Sequence, residues 1–323
     1  MRAIVVNEFG GPEELELVEK PIPIPRPGQA LITVQAIGVG LADCLLRRGF
    51  LSTVELGFTP GLEMAGTVAE VGEGVDTSWL NSRVFATVPE GAKSGCYAEF
   101  VAVDVDQLVP VSPAISAAQA VSLGINAAAA EFMIRRSQLE ASDQVIVRGA
   151  SGGIGLMLVQ LAARRGATVT ASTSSNERAE HLLKLGASHA VDRTCQPLSG
   201  AAPDRYDVVL DTVAGADVRI FSDKLRNNGR VVFGGIAGGP PQEDLAAALF
   251  DQRSLSFSML SLDSIDKADR RSTLSEIFEL AARDEVSPII HETLDLAKAP
   301  QAHSNLEAGN AFGKIVLTVG ATA

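Results

Sequence analysis

Val145-Ile-Val-Arg-Gly-Ala-Ser-Gly-Gly-Ile-Gly155 is the stretch that decides how this chain folds. Residues 145–148 form a short apolar run of strand type, and a glycine cluster stops it. Ile154, Met157, Leu158, Leu161 and Ala162 then recur at helical spacing. Gly166 closes that helix, where the backbone needs a positive φ. Strand, glycine turn and helix in this order read as a dinucleotide fingerprint, Ala150-x-Gly152-x-x-Gly155, with alanine at the first glycine position. Small residues here let backbone N–H groups and the helix N-terminus approach a pyrophosphate. A side chain at Gly152 would push the phosphates away, and Gly155 lets the helix lie close to its strand. A tight strand–helix turn is the bland alternative, since 30 glycines make chance matches common. The ordered context favours the dinucleotide reading.

Downstream, residues 167–172, 188–192, 207–211 and 229–234 read as further strands, with a helix over 176–185 ended by Gly186. Alternating strands and helices predict an α/β fold with a doubly wound parallel sheet. The end of the second strand then selects the nucleotide. It reads Thr173-Ser174-Ser175-Asn176, with no carboxylate before Glu177 to hold a ribose 2′-hydroxyl. Arg178 follows, and Arg193 sits just past the next strand. Hydroxyls and guanidinium groups suit a 2′-phosphate, so the residues favour NADPH over NADH. The expected cofactor contacts are therefore Ala150, Ser151, Gly152, Gly153, Ile154, Gly155, Thr173, Ser174, Arg178 and Arg193. Arg178 as a plain surface helix residue is the alternative.

Upstream, residues 31–36, 66–71, 83–88 and 98–103 are short strand-like runs between Gly, Pro and Asp clusters. Pro21, Pro23, Pro25 and Pro27 punctuate the chain before them, because proline cannot keep donating to a ladder. This predicts a compact barrel-like domain over residues 1–120, followed by the doubly wound domain over 121–258. Beyond it the alternation fades, leaving a helix around 271–284 and a late strand over 314–319. Residues 259–323 are expected to return to the first domain.

The net charge of −12 and a pI near 4.9 argue against a nucleic-acid partner. Arg47-Arg48, Arg135-Arg136 and Arg164-Arg165 read as solvated helix faces. No charged leader precedes a long apolar run, and no uninterrupted apolar stretch reaches the roughly 18 residues of a membrane span. Cys44, Cys96 and Cys195 are odd in number and lack a CxxC pair, which suggests a reducing, cytoplasmic setting.

Five segments in order make the chain resemble the medium-chain dehydrogenase/reductase superfamily over nearly its full length. They are Ile37-Gly-Val-Gly-Leu-Ala-Asp43, Pro60-Gly-Leu-Glu-Met-Ala-Gly-Thr-Val68 with Val71-Gly72, Gly95-Cys-Tyr-Ala-Glu-Phe100, the glycine loop with its helix, and Gly313-Lys-Ile-Val-Leu317. The resemblance implies a GroES-like substrate domain beside a Rossmann domain, an active site in the cleft between them, and a homodimer. It also implies that Gly313 and Lys314 contact the cofactor. Zinc enzymes of the superfamily have Cys where Gly40 stands, His where Leu62 stands, and a third ligand near Ser122. Glycine and leucine cannot ligate, so no metal is expected.

The zinc-free branch that the chain is most similar to is the zeta-crystallin-like quinone oxidoreductases. Those proteins often have Asn at the Gly40–Leu41 turn and Tyr where Phe50 or Leu51 falls; both polar groups are missing, which implies a more apolar pocket. Asn126 occupies a place where Thr often lies near the nicotinamide. Asn126 and the loop Phe233, Gly234, Gly235 and Ile236 are expected to hold the nicotinamide and its ribose.

Without a metal, an acceptor that delocalises incoming charge is the natural substrate, so a quinone or activated enone is expected. An enoyl-thioester reductase on the same scaffold, or an NADPH-binding sensor or structural protein without turnover, are the rivals. No catalytic residue is fixed. Asn126, Asp43 and Tyr97 are candidates, with helix capping the alternative for Asp43 and a strand position the alternative for Tyr97. Cys44 reads as a buried filler and Glu63 as a structural carboxylate. His181, His189, His291 and His303 read as isolated surface or packing residues.

Overall fold

The computed structural model describes residues 1–50, 54–88, 93–241 and 253–320. The chain divides into two compact units, Met1–Ile125 with Asp266–Ala323, and Asn126–Ile265.

Along the first unit lie β1 (Arg2–Val6), β2 (Leu15–Glu19), β3 (Gln29–Val39), α1 (Leu41–Arg47), β4 (Glu63–Val71), β5 (Arg83–Thr87), β6 (Phe100–Asp104) and β7 (Val109–Pro110). Helix α2 (Ala117–Ser137) runs through the division. The second unit holds β8 (Gln144–Arg148), α3 (Gly153–Arg164), β9 (Thr168–Ser172), α4 (Asn176–Lys184), β10 (His189–Val191), β11 (Pro197–Ser199), β12 (Tyr206–Asp211), α5 (Val218–Ser222), β13 (Leu225–Phe233) and β14 (Ser256–Met259). The first unit resumes with α6 (Lys267–Ala282), β15 (Ile290–Asp295), α7 (Ala299–Glu307) and β16 (Lys314–Thr318).

In the first unit β1 and β2 pair antiparallel, and a larger sheet has the order β15-β16-β3-β4-β5-β7, with β6 also on β3. The register Ile37↔Leu317 and Ile37↔Met64 sets the last strand and β4 on either side of β3. Side chains alternate along the middle of β3, where Ile32, Val34 and Ala36 are buried while Thr33 and Gln35 are exposed. Ile4, Ile32, Ile37, Val68, Val84, Leu108, Leu296, Ile315 and Leu317 form the core of this unit. Burying each large aliphatic side chain contributes about 1.5–3 kcal/mol.

The second unit carries one sheet in the order β11-β10-β9-β8-β12-β13-β14. All pairs from β10 to β14 are parallel, and only β11 is antiparallel. Parallel strands are covered on both faces, which is why Val145, Ile146 and Val147 or Val208, Val209 and Leu210 run apolar without alternation. Helix α3 buries every residue from 155 to 162 and ends at Gly166, where φ is +85°. Gly186, at φ +111°, ends α4 in the same way.

Helix α2 was not foreseen. Its alanines carry helix propensity rather than a polar–apolar period, so no amphipathic pattern announces it. By length and composition it is apolar enough to cross a membrane, but 78% of its apolar window is buried within the protein, as in a core helix. Its backbone leaves the helical region at Gly124, with φ 13° and ψ −122°.

Candidate dinucleotide site

Leaving aside β11, the strand order of the second unit is that of a dinucleotide-binding sheet, reversing between β8 and β12. Ligands of such sheets lie beyond the carboxyl ends of the strands at that switch. The glycine loop begins there. Gly149 has φ +77°, and a side chain on it would collide with Thr212. A Cβ on Gly155 would run into the backbone of Gly149 and Ala150, so this glycine allows α3 to close on β8. At Gly152 the outcome differs: the nearest protein atom to such a Cβ would be 3.5 Å away, leaving that side of the loop open. Gly152 also offers α3 no side-chain cap, so the first-turn N–H groups remain for an anion. Ile154 sits in that same turn. These residues fit a pyrophosphate.

Ala150 and Ser151 anchor the loop. The Ala150 N–H donates to Ser172 O at 3.3 Å, and the Ser151 and Thr173 hydroxyls lie 2.7 Å apart, both buried. Thr173 is therefore turned toward the loop, not toward solvent. Just beyond it Ser175 caps α4 by accepting the Arg178 N–H at 3.3 Å. That cap brings the Arg178 guanidinium over Ser174, with Nη1 to Oγ at 3.5 Å. Ser174 is exposed and Arg178 partly so, and Arg193 is exposed on the turn after β10. Hydroxyl and guanidinium meet at the carboxyl end of β9.

The β13 loop lies on the same edge of the sheet. Phe233 ends the strand, buried, and the Gly234 N–H donates to Asp211 O at 2.9 Å. A side chain on Gly234 would strike Met133, and one on Gly235 would strike Thr212 O. Ile236 accepts the Gly239 N–H at 2.8 Å, closing the turn. Asn126 is buried, and its carboxamide occupies the space that a Cβ on Gly153 would need. The second residue of the loop pair thus has to be glycine because of Asn126, a constraint the sequence reading did not contain.

In the first unit the polar residues form two buried clusters. Asp43 does cap α1, though from the third helical position: Gly40 is the N-cap and the helix starts at Leu41. It stands one turn in, where Oδ2 accepts the Gly40 N–H at 2.8 Å and Oδ1 the Gly61 N–H at 3.2 Å. Burial raises its pKa to about 7, against these N–H donors and the nearby Lys314 charge. Lys314 Nζ lies 2.5 Å from Glu63 Oε1, without hydrogen-bond alignment, and both side chains are buried. Glu63 Oε2 accepts the Ile125 N–H at 2.8 Å, so this carboxylate caps the second half of α2 at the Gly124 break. The Lys314 ammonium thus faces the Glu63 carboxylate. Gly313 has φ +103° and turns the chain against Ile289.

The second cluster corrects two expectations. Arg47 is not on a solvated face: it is fully buried, with Nη2 2.6 Å from Glu307 Oε1 and Nη1 3.2 Å from His303 Nδ1. A guanidinium only donates, so Nδ1 accepts and Nε2 carries the proton toward the Tyr97 hydroxyl at 3.0 Å. Burial, with Arg47 alongside, lowers the His303 pKa to about 3. Tyr97 is fully buried and its hydroxyl is used by His303, which removes it from the catalytic candidates. Burial likewise pushes the Cys44 thiol up, and Cys44 is a filler.

Of the three positions where zinc enzymes carry ligands, Gly40 opens α1, Leu62 packs on the core, and Ser122 Oγ donates to Ile289 O at 3.0 Å. That donor set does not fit a zinc ion. Among the described residues, no group of three or more His, Cys, Asp or Glu side chains could hold a metal. Phe50 is 57% exposed; its neighbour Leu51 lies outside the described residues.

Residues 26–113 match the model of the alcohol dehydrogenase GroES-like domain, and residues 185–317 that of the zinc-binding dehydrogenases. The mouse protein named quinone oxidoreductase is 30% identical, over 98% of this chain and 97% of its own length. The quinone oxidoreductase of Lama guanicoe is 31% identical over the same shares. Among solved structures, a mycobacterial protein complexed with NADPH aligns with TM-score 0.88 at 27% identity, covering 98% of this chain and 100% of that one. An NAD-dependent alcohol dehydrogenase aligns with TM-score 0.88 at 25% identity, covering 99% and 100%.

Proposed function

Because the chain belongs to the medium-chain dehydrogenase/reductase superfamily, we propose that it transfers hydride from NADPH to a quinone or to the β-carbon of an α,β-unsaturated carbonyl. Relatives at about 30% identity that carry the name quinone oxidoreductase support this acceptor class. The comparisons include both an NADPH complex and an NAD-dependent enzyme, so the choice of nucleotide rests on this chain's own residues. The observation that carries it is the contact of Ser174 Oγ with Arg178 Nη1 at the end of β9, with no carboxylate before Glu177.

NADPH, when bound, supplies the hydride. Gly153, Ile154 and Gly155 present first-turn N–H groups to its pyrophosphate and Gly152 leaves room for it, with Ala150, Ser151 and Thr173 holding the loop in place. Ser174 and Arg178, with Arg193 alongside, take the 2′-phosphate by charge-assisted hydrogen bonds. Phe233, Gly234, Gly235, Ile236 and Asn126 serve the nicotinamide half. Gly313 and Lys314 complete the contacts that the family resemblance implies, with the Lys314 ammonium beside Glu63.

A quinone or enone spreads the arriving negative charge over its own π-system, so binding and orientation supply much of the catalysis. The donor set at Gly40, Leu62 and Ser122 gives no Lewis acid to stabilise an alkoxide, which a simple ketone would require. Three buried, unpaired cysteines fit a reducing cytoplasm, and the family resemblance supports a homodimer.

Loss of NADPH absorbance with 1,4-benzoquinone, 9,10-phenanthrenequinone and a simple enone tests the proposal. Turnover of at least one acceptor is expected. Tight NADPH binding with no turnover on any of them would replace this reading by that of a binding protein.

A further inference from the structure

Arg148 and Asp211 end the two strands that flank the switch point, and neither figures in the cofactor contacts above. Their side chains form a buried ion pair, Nη1 to Oδ2 at 3.0 Å, with 8% and 1% of their surfaces exposed. Two buried charges cost more than they return unless every remaining polar atom is matched. Here the loop after β12 takes up Asp211 Oδ1 and Arg148 Nη1, and Arg148 Nη2 lies 3.9 Å from Asp217 Oδ2. Asp211 Oδ1 accepts the Val213 N–H at 2.7 Å and the Ala214 N–H at 2.9 Å. Arg148 Nη1 also donates to Ala214 O at 2.7 Å, and the guanidinium lies 4.8 Å over the Phe221 ring.

The residue so gripped is Ala214, whose φ is +54°. A non-glycine residue in that region is strained and persists only where its surroundings over-determine it. The carboxylate holds its N–H and the guanidinium its carbonyl, so the pair fixes this backbone from both sides. The grip reaches the neighbouring loops. Thr212 Oγ1 donates to Arg148 O at 3.0 Å and stands against Gly149, where the glycine loop begins. Val213 O accepts the Gly238 N–H at 2.7 Å, tying in the β13 loop.

We propose that the Arg148–Asp211 pair is a positioning clasp that shapes the nicotinamide half of the dinucleotide site by holding Ala214 in its strained conformation. It rests on the cofactor reading given above. In a sheet of this order β8 to β10 form one mononucleotide half, and β12 to β14 form the other. The clasp bears on the second half, so its loss distinguishes the whole dinucleotide from its adenosine fragment.

The test compares dissociation constants for NADPH and for adenosine 2′,5′-bisphosphate in the unmodified protein, Arg148→Met and Arg148→Lys. NADH and ADP serve as the parallel pair if the unmodified chain prefers them. The expected result for Arg148→Met is roughly tenfold weaker binding of the dinucleotide, the effect of about 1.4 kcal/mol, with the fragment changed less than about twofold. Arg148→Lys, which keeps the charge but loses the planar fork, should fall between and remains testable if Arg148→Met does not fold. An unchanged ratio in the folded variant, or equal losses for dinucleotide and fragment, would overturn the clasp alone. No binding of either nucleotide pair by the unmodified protein would overturn the cofactor reading, and the clasp with it.

Discussion

Glu63 caps a helix break 62 residues further along the chain: its Oε2 accepts the Ile125 N–H at 2.8 Å, while Oε1 faces the Lys314 ammonium. One buried carboxylate thus satisfies a freed amide and a buried cation. Removing it leaves both without it.

Glu63→Ala is therefore expected to cost about 3–5 kcal/mol, the penalty of stranding a buried charge. Glu63→Gln retains an acceptor for Ile125 and should cost less. Urea unfolding of the two variants measures the difference. Equal midpoints for Ala and wild type would show that the cluster carries no stability.

The glycines of the loop should separate by role. Gly155→Ala pushes a Cβ into the Gly149 backbone and should destabilise by about 1–3 kcal/mol through overpacking. Gly152→Val places a Cβ that meets nothing in the protein nearer than 3.5 Å, so its melting temperature should fall less than that of Gly155→Ala. Its NADPH affinity should nonetheless drop by roughly tenfold or more, since the added methyls stand where the phosphates approach. A Gly152→Val protein that binds NADPH normally would move the pyrophosphate elsewhere.

Arg178→Asp replaces a phosphate partner with a repelling carboxylate. Each charge-assisted hydrogen bond lost is worth about 1.5–3 kcal/mol, or roughly 10- to 100-fold in affinity. NADPH binding should fall by that order while NADH changes little. Equal losses for both would take Arg178 out of the 2′-phosphate site.

The buried histidine gives the pH dependence a sign. His303 in the fold titrates near 3, below the roughly 6.5 of an unfolded histidine. Between these values the unfolded chain binds the extra proton, so stability rises with pH across the window. It is fully present above about 6.5 and is lost as pH falls toward 3. His303→Gln can still accept from Arg47 and donate to Tyr97 without taking up a proton. Its urea midpoint should therefore depend less steeply on pH between 7 and 4 than the wild type's. Parallel curves would mean that His303 does not drive acid sensitivity.

What the sequence revealed follows the range of each interaction. The glycine loop was legible because its chemistry is local, and Ser174 and Arg178 because four residues along a helix start bring them together. The doubly wound sheet was legible from alternating strands and helices with their glycine stops at 166 and 186. Arg47 was misread because its partners His303 and Glu307 lie 256 and 260 residues away, and a double arginine ordinarily marks a solvated face. Asp211 stands 63 residues from Arg148, which hid the clasp in two plain apolar strands. Asn126 was picked out by resemblance, yet its packing on Gly153 depends on how α2 meets the loop. Helix α2 escaped notice because a helix buried all round carries no amphipathic period.

Isothermal titration of the unmodified protein with NADPH and with NADH tests the core of this reading most directly. One NADPH per chain, bound more tightly than NADH, is the expected result. Tighter binding of NADH, or no binding of either nucleotide, would contradict it.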